Sequence, residues 1–153
     1  MVARCTISSS ALAAIRAHAA AEAPHEACGL LLGEGADIAR AMACANVAAD
    51  PHRRFEIDPA ALFAVMRAER GGGTRWIGCY HSHPSGEPRP SAADAAAAAP
   101  DGKLWVIVAG HDVTAWCACE HGAVNGRFDR LELLAVEESV RQEGAPHPRE
   151  PSP

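Results

Sequence analysis

One stretch limits the possible folds more than any other: the short apolar run Trp76 to Tyr80 passes directly into "HSHPSGEPRPS" and then into the alanine-rich "AADAAAAA" that ends at Pro100. The prolines and glycines interrupt any regular element across that loop, while the alanines favour a helix after it. A buried strand, a constrained loop and a helix in direct succession indicate an α/β (α+β) architecture, with a central sheet flanked by helices. The rest of the chain agrees. Ser8 to Ala23 begins with serines able to cap and carries Leu12, Ile15 and Ala19 near helical spacing, so a first helix is expected before Pro24. Cys28 to Gly33 and Asp37 to Val47 read as two strands of a hairpin turning around Glu34 and Gly35, and Phe55 to Ile57 as a third, short strand. Asp58 and Pro59 supply the cap and first-turn signals for a helix to about Arg70, which three glycines stop. Further strands are expected at Leu104 to Val108, Val113 to Glu120 and Arg127 to Leu134.

With 153 residues, 48% of them hydrophobic, the chain suits one core; we place that domain at residues 1–135, followed by a C-terminal extension, 136–153, disordered at its Pro-rich end. The net charge of −5 argues against a broad surface for nucleic acid or anionic membrane. No stretch has the length of a membrane span and the N-terminus lacks a secretory apolar core, so a cytoplasmic protein is expected. The six cysteines lie in apolar segments without a paired C-x-x-C framework, which suits reduced thiols in the core.

The chemistry concentrates between Tyr80 and Asp94. Residues two apart on an extended backbone face the same side, so His81 and His83 project together, and Pro84 disfavours helical geometry at His83. If Ser91 opens the following helix, Asp94 falls in its first turn, with its carboxylate able to point back toward the loop. Two imidazoles and one carboxylate leave the fourth position of a tetrahedral zinc for water, the pattern of a catalytic site. Other readings accompany it. Ser91-x-x-Asp94 is also a capping pair, and two histidines with one carboxylate also hold ferrous iron. Cys117 and Cys119 share a strand face, but without a second pair they read as packing residues. His18, His25, His52, His111, His121 and His147 have no comparable partners in sequence.

His81-Ser82-His83-Pro84 followed by Ser91-x-x-Asp94 resembles the JAMM motif of the MPN-plus (JAB domain) zinc metalloprotease family, in its stand-alone bacterial form. Upstream, "PHEACGLLLG" from Pro24 to Gly33 resembles the first motif of that family, and Glu26 matches its catalytic glutamate better than Glu22 or Glu34 does. The resemblance implies an MPN/JAB-like (cytidine-deaminase-like) fold with Zn2+ held by His81, His83 and Asp94. It further implies that Glu26 moves the proton and that the Ser91 hydroxyl donates to the oxyanion. The implied reaction is hydrolysis of the peptide or isopeptide bond after the C-terminal tail of a ubiquitin-like or sulfur-carrier protein ending in Gly-Gly, the tail adding as a strand beside the sheet. Ser82 is expected to serve the loop backbone, with Trp76, Cys79 and Tyr80 packed around the site. The same resemblance admits a non-catalytic MPN scaffold for protein contact, and the loop is also similar to that of a branch linked to DNA repair, against which the acidic charge and "CGLLLG" weigh.

Overall fold

The computed structural model describes residues 3–138, which form β1 (Arg4–Ser8), α1 (Ser9–Glu22), β2 (Cys28–Glu34), β3 (Asp37–Cys44), α2 (Pro59–Arg70), β4 (Arg75–Ser82), α3 (Ala92–Ala97), β5 (Leu104–Ala109), β6 (Asp112–Gly122) and β7 (Gly126–Val136). Strands β2 and β5 are apolar along nearly their whole length, as strands covered on both faces must be. Each lies inside the sheet, whose order is β1-β3-β2-β4-β5-β6-β7. Pairing is mixed: β2 runs antiparallel to β3 and β4, whereas β4 runs parallel to β5. A parallel pair needs a crossover, and the His83–Pro90 loop with α3 provides it. Strand β1 pairs in parallel with both β3 and β7, so the sheet closes on itself. Every strand therefore has two neighbours. The β1–β3 pairing covers only Asp37 and Ile38 of β3, so Ala39 to Cys44 have a strand partner on the β2 side alone.

Alternation along the strands divides the apolar side chains into layers. One cluster draws on all seven strands, including Ile7, Leu31, Ile38, Tyr80, Val106, Ala115 and Leu131, and receives Ala11 and Ile15 from α1. The buried stripe of α1 is narrow and largely alanine, which lets the helix lie close to the backbone of the strands it crosses. On the other face, Cys79, Trp105, Ile107, Trp116 and Phe128 pack with Ala98 after α3, and Leu30, Leu32 and Cys44 pack beneath Val65 of α2. Gly29 is required by this layering. A methyl group there would collide with the Met42 carbonyl oxygen and the Tyr80 ring.

The helix starts follow the sequence signals. The Ser8 hydroxyl accepts from the Ala11 N–H at 3.2 Å, and the Asp58 carboxylate from the Ala60 N–H at 3.0 Å. Three expectations change. Residues 4–8 form a strand that no local pattern announced, because both partners of β1 are distant in sequence. Phe55 to Ile57 is not a strand: it contributes a single bridge between Asn46 and Ile57, and Phe55 turns toward His81 instead. Helix α3 stops at Ala97 instead of running up to Pro100: Ala98 is already extended, its N–H donating to the Asp94 carbonyl, and Pro100 disfavours helical geometry at Ala99 beyond it. Strand β7 runs to Val136, and the expected extension beyond residue 138 lies outside the described residues. No helix among the described residues is long and apolar enough to cross a membrane.

Two outcomes are expected. Gly29→Ala destabilises the fold by about 1–3 kcal/mol or more, as overpacking does, and a urea titration of both proteins measures it. All six cysteines are free, Cys5, Cys28, Cys44 and Cys79 being buried and Cys117 and Cys119 half-buried. Burial pushes the Cys5 thiol up to about 11 and the Cys28 thiol up to about 12. Because the thiolate is the nucleophile, these groups stay protonated and inert at pH 8, gaining reactivity only as pH rises toward those values. A thiol reagent at pH 8 therefore labels no site beyond Cys117 and Cys119 until denaturant is added; faster labelling of the buried four in the native protein contradicts this packing.

Candidate active site

Strand β4 lies between β2 and β5, with His81 in register with Cys28 on one side and Ile107 on the other. Its end is pinned to the start of β2: the Ser82 N–H donates to the Ala27 carbonyl at 3.0 Å and the Ala27 N–H to the Ser82 hydroxyl at 2.8 Å. Ser82 thus serves backbone at the head of β2 and not, as expected, that of its own loop. The His83 N–H then donates to the Val108 carbonyl at 2.8 Å, which keeps the chain extended past the strand and both imidazoles on one face.

His81 Nε2 and His83 Nε2 stand 2.9 Å apart, and Asp94 Oδ2 lies 3.1 Å from the first and 3.3 Å from the second. Asp94 reaches this point through α3. Ser91 caps the helix by accepting from the Asp94 N–H at 3.0 Å, while Asp94 Oδ2 accepts from the Ser91 N–H at 2.9 Å. The capping reading of Ser91-x-x-Asp94 and its place at the site are therefore one arrangement. The His83 Nδ1–H donates to the Glu87 carbonyl at 2.8 Å, leaving its Nε2 lone pair turned inward. Ligands 2.0–2.1 Å from a tetrahedral zinc stand about 3.3–3.4 Å apart, close to the separations of these three atoms. Their chemistry fits as well, since two ring nitrogens and a carboxylate oxygen converge with too few protons to link them all.

Glu26 enters from the turn before β2. Its N–H donates to the Pro51 carbonyl at 2.8 Å, and its own carbonyl accepts from the Asn46 side chain at 3.0 Å. Oε1 lies 3.6 Å from His83 Nε2, farther than Asp94 Oδ2, whereas the buried Oε2 has no hydrogen-bond partner among the described residues. Glu26, His81 and His83 also form a group able to hold a metal by their atom separations. The shorter distances from Asp94 make it the nearer carboxylate and set Glu26 to one side.

Electrostatics divides the two acids. Burial pushes the Glu26 carboxyl up to about 7, opposed by His83 and reinforced by Asp94 and Asp50. Burial acts in the same sense on Asp94, but hydrogen bonds from both imidazoles and the Ser91 N–H outweigh it and hold this carboxyl well below the usual range. Burial lowers His81, and for His83 the same effect is outweighed by Asp94 and the Glu87 carbonyl, which raise it.

Several supporting residues carried no sequence signal. Asn46 uses its whole amide, donating to the Glu26 and Arg54 carbonyls and accepting from the Ala48 and Glu56 N–H groups. Phe55 stacks on the His81 ring with centroids 4.3 Å apart. The proline loop is held at both of its later carbonyls, Thr114 donating to Pro88 at 2.7 Å and Asn125 to Pro90 at 3.2 Å. Cys79 packs beside Trp105, whose ring meets His81 edge-on. Tyr80 and Trp76 do not surround the site. Tyr80 points to the opposite face, with its hydroxyl 2.8 Å from His18 Nδ1, and Trp76 lies beneath Lys103 near the other end of β4. A cleft of about 380 Å³ opens over Glu26, His83 and Ser91, lined by the His52–Arg53 segment and by the proline loop.

Two histidines at the end of β4 thus meet two acids, one from α3 and one from the turn before β2, in a closed mixed sheet flanked by helices. The chain belongs to the family described as prokaryotic homologs of the JAB domain, which it matches over residues 8–119. It is 36% identical over 100 residues to a desampylase of Haloferax volcanii, a span covering 64% of this chain and 72% of that protein. Its structure is similar to one from Desulfitobacterium hafniense, with a TM-score of 0.75 at 26% identity over 90% of this chain and 96% of the other. A structure described as JAMM, a metalloprotease-like zinc site in the proteasome and signalosome, is similar in fold, with a TM-score of 0.55 at 21% identity over 88% of this chain and 99% of that one.

Replacing Ser82 by alanine leaves the buried Ala27 N–H without its acceptor. A loss of about 1–3 kcal/mol in unfolding free energy is expected, measurable by denaturant titration.

Proposed function

We propose that this chain is a zinc-dependent metallopeptidase or isopeptidase that hydrolyses the bond after the C-terminal tail of a ubiquitin-like or sulfur-carrier protein ending in Gly-Gly. The observation that carries the reading is the convergence of His81 Nε2, His83 Nε2 and Asp94 Oδ2 within 3.3 Å of one another, with Glu26 beside them. Family membership and the desampylase relative support the substrate class.

His81, His83 and Asp94 are the residues to hold the metal, which when bound polarises the scissile carbonyl and eases ionisation of water. Glu26 moves the proton. Its carboxyl stands beside the convergent imidazoles, with Oε1 3.6 Å from His83 Nε2, where a group that first accepts and then donates a proton must be. It takes a proton from the attacking water as the new carbon–oxygen bond forms, and returns it to the amine nitrogen as the carbon–nitrogen bond breaks. Its unpaired Oε2 is available for that exchange. The Ser91 oxygen accepts from the Asp94 N–H, which leaves its O–H free to donate to the developing oxyanion, worth roughly 2.7–4 kcal/mol for such a donor. A scaffold used only for protein contact has no use for a buried carboxyl with an unpaired oxygen next to two convergent imidazoles, so the catalytic reading is preferred.

The test combines elemental analysis with cleavage of a Gly-Gly-tailed carrier fusion. Wild type is expected to hold about one zinc per chain and Asp94→Ala to lose it. Glu26→Ala is expected to keep the metal while kcat falls by about 10²–10⁴. A wild type that cannot be loaded with zinc, or cleavage indifferent to Glu26, sinks this reading.

A further inference from the structure

We propose that Arg53 and Arg89 bind a carboxylate side chain of the substrate tail, so that the cleft prefers tails with Asp or Glu next to the scissile segment. This rests on the peptidase reading of the same cleft. The two arginines come from different loops and line the cleft that has Glu26, His83 and Ser91 within it. Of the acids that line the same cleft, Glu26 lies beside the imidazoles, 3.6 Å from His83, so the arginines are the groups there that can meet an anionic side chain.

Neither guanidinium is engaged in holding the fold. Arg53 Nε lies 4.0 Å from Asp50, with both side chains more than half exposed, a pairing that contributes little. Arg89 makes no hydrogen bond or ion pair among the described residues. The backbone under each, by contrast, is fixed. The Arg53 N–H donates to the Asp50 carbonyl at 3.2 Å, the Pro51 carbonyl accepts from Glu26 at 2.8 Å, and the Arg54 carbonyl accepts from Asn46 at 3.0 Å. Arg89 sits between Pro88 and Pro90, whose carbonyls are held by Thr114 and Asn125. With the backbone under both arginines fixed, binding costs the freedom of the side chains alone and no loop has to be ordered. The planar fork of arginine matches a carboxylate in two parallel hydrogen bonds. Glu87 lines the same cleft, which disfavours a polyanion such as nucleic acid and leaves room for a single acidic side chain.

The test uses two labelled peptides ending in Gly-Gly joined to an amine through a non-cleavable methylene link, one with Glu and the other with Gln before the glycines. Binding to the zinc-loaded full chain is followed by fluorescence anisotropy. Wild type is expected to bind the Glu peptide about tenfold more tightly, as for a charge-assisted pair. In the Arg53→Gln/Arg89→Gln double variant, checked for unchanged zinc content and circular dichroism, the ratio falls to about one. A charge-reversed Arg53→Glu/Arg89→Glu protein is expected to favour a Lys peptide over the Gln peptide. A wild-type ratio near one, a ratio that survives the double substitution, or displacement of the Glu peptide by an oligonucleotide at equal concentration overturns the proposal. Cleavable versions of the same peptides are measured separately: failure of wild type to cut either defeats the peptidase reading, while the binding ratio alone decides the role of the arginines.

Discussion

A single oxygen atom, Asp94 Oδ2, joins the parts of this structure that matter for chemistry. It accepts from the Ser91 N–H at the first turn of α3 and lies within 3.3 Å of both imidazole nitrogens. A carboxylate that is 6% exposed pays heavily for desolvation unless it is compensated. Here the compensation is the helix cap on one side and the histidines on the other, so the position of α3, the loop and β4 are set by the same interaction. Loss of any one of the three partners leaves the others beside an under-compensated charge, which is why the site and the loop that carries it form one unit.

The second acid reaches the site by a different route. Glu26 stands just ahead of β2, and the antiparallel register that places Cys28 opposite His81 fixes how far along β4 it can reach. Ser82 locks that register from the strand side, and Asn46 locks the Glu26 carbonyl to the segment that follows β3. Gly29 and Tyr80 belong to the same constraint, since the absent side chain at Gly29 lets the Tyr80 ring cross β2 on the opposite face. This glycine within the first motif therefore maintains the strand pairing that delivers the glutamate.

How much of this the sequence disclosed depends on whether the cause was local. The face shared by His81 and His83 and the cap at Ser91 follow from strand periodicity and capping chemistry, so the loop and its convergent side chains were legible. The closure of the sheet was not, because β1 is five residues long and its partners, β3 and β7, lie far along the chain. Tyr80 was assigned to the site by its neighbourhood in sequence, yet alternation sends it to the opposite face from His81, as the period of a strand requires. Phe55 was assigned to a strand by its residue type, while its ring is used against His81. Glu26 stands between these cases. No physical pattern in the sequence distinguishes it from a surface glutamate, and only the resemblance selected it; its burial and unpaired oxygen become visible in three dimensions.

The two acids also separate this site from a plain three-ligand centre. Two histidines and Asp94 alone are compatible with hydrolysis or with ferrous iron chemistry. Glu26 makes the difference, because it lies beside the two imidazole nitrogens while Asp94 is the nearer carboxylate, and burial pushes its carboxyl up to about 7 while hydrogen bonds hold Asp94 far lower. One carboxylate is kept charged by direct partners, and the other is left able to gain and lose a proton. Under the peptidase reading proposed above, the two acids divide the work, Asp94 beside both imidazoles and Glu26 toward the proton that passes from water to the leaving amine.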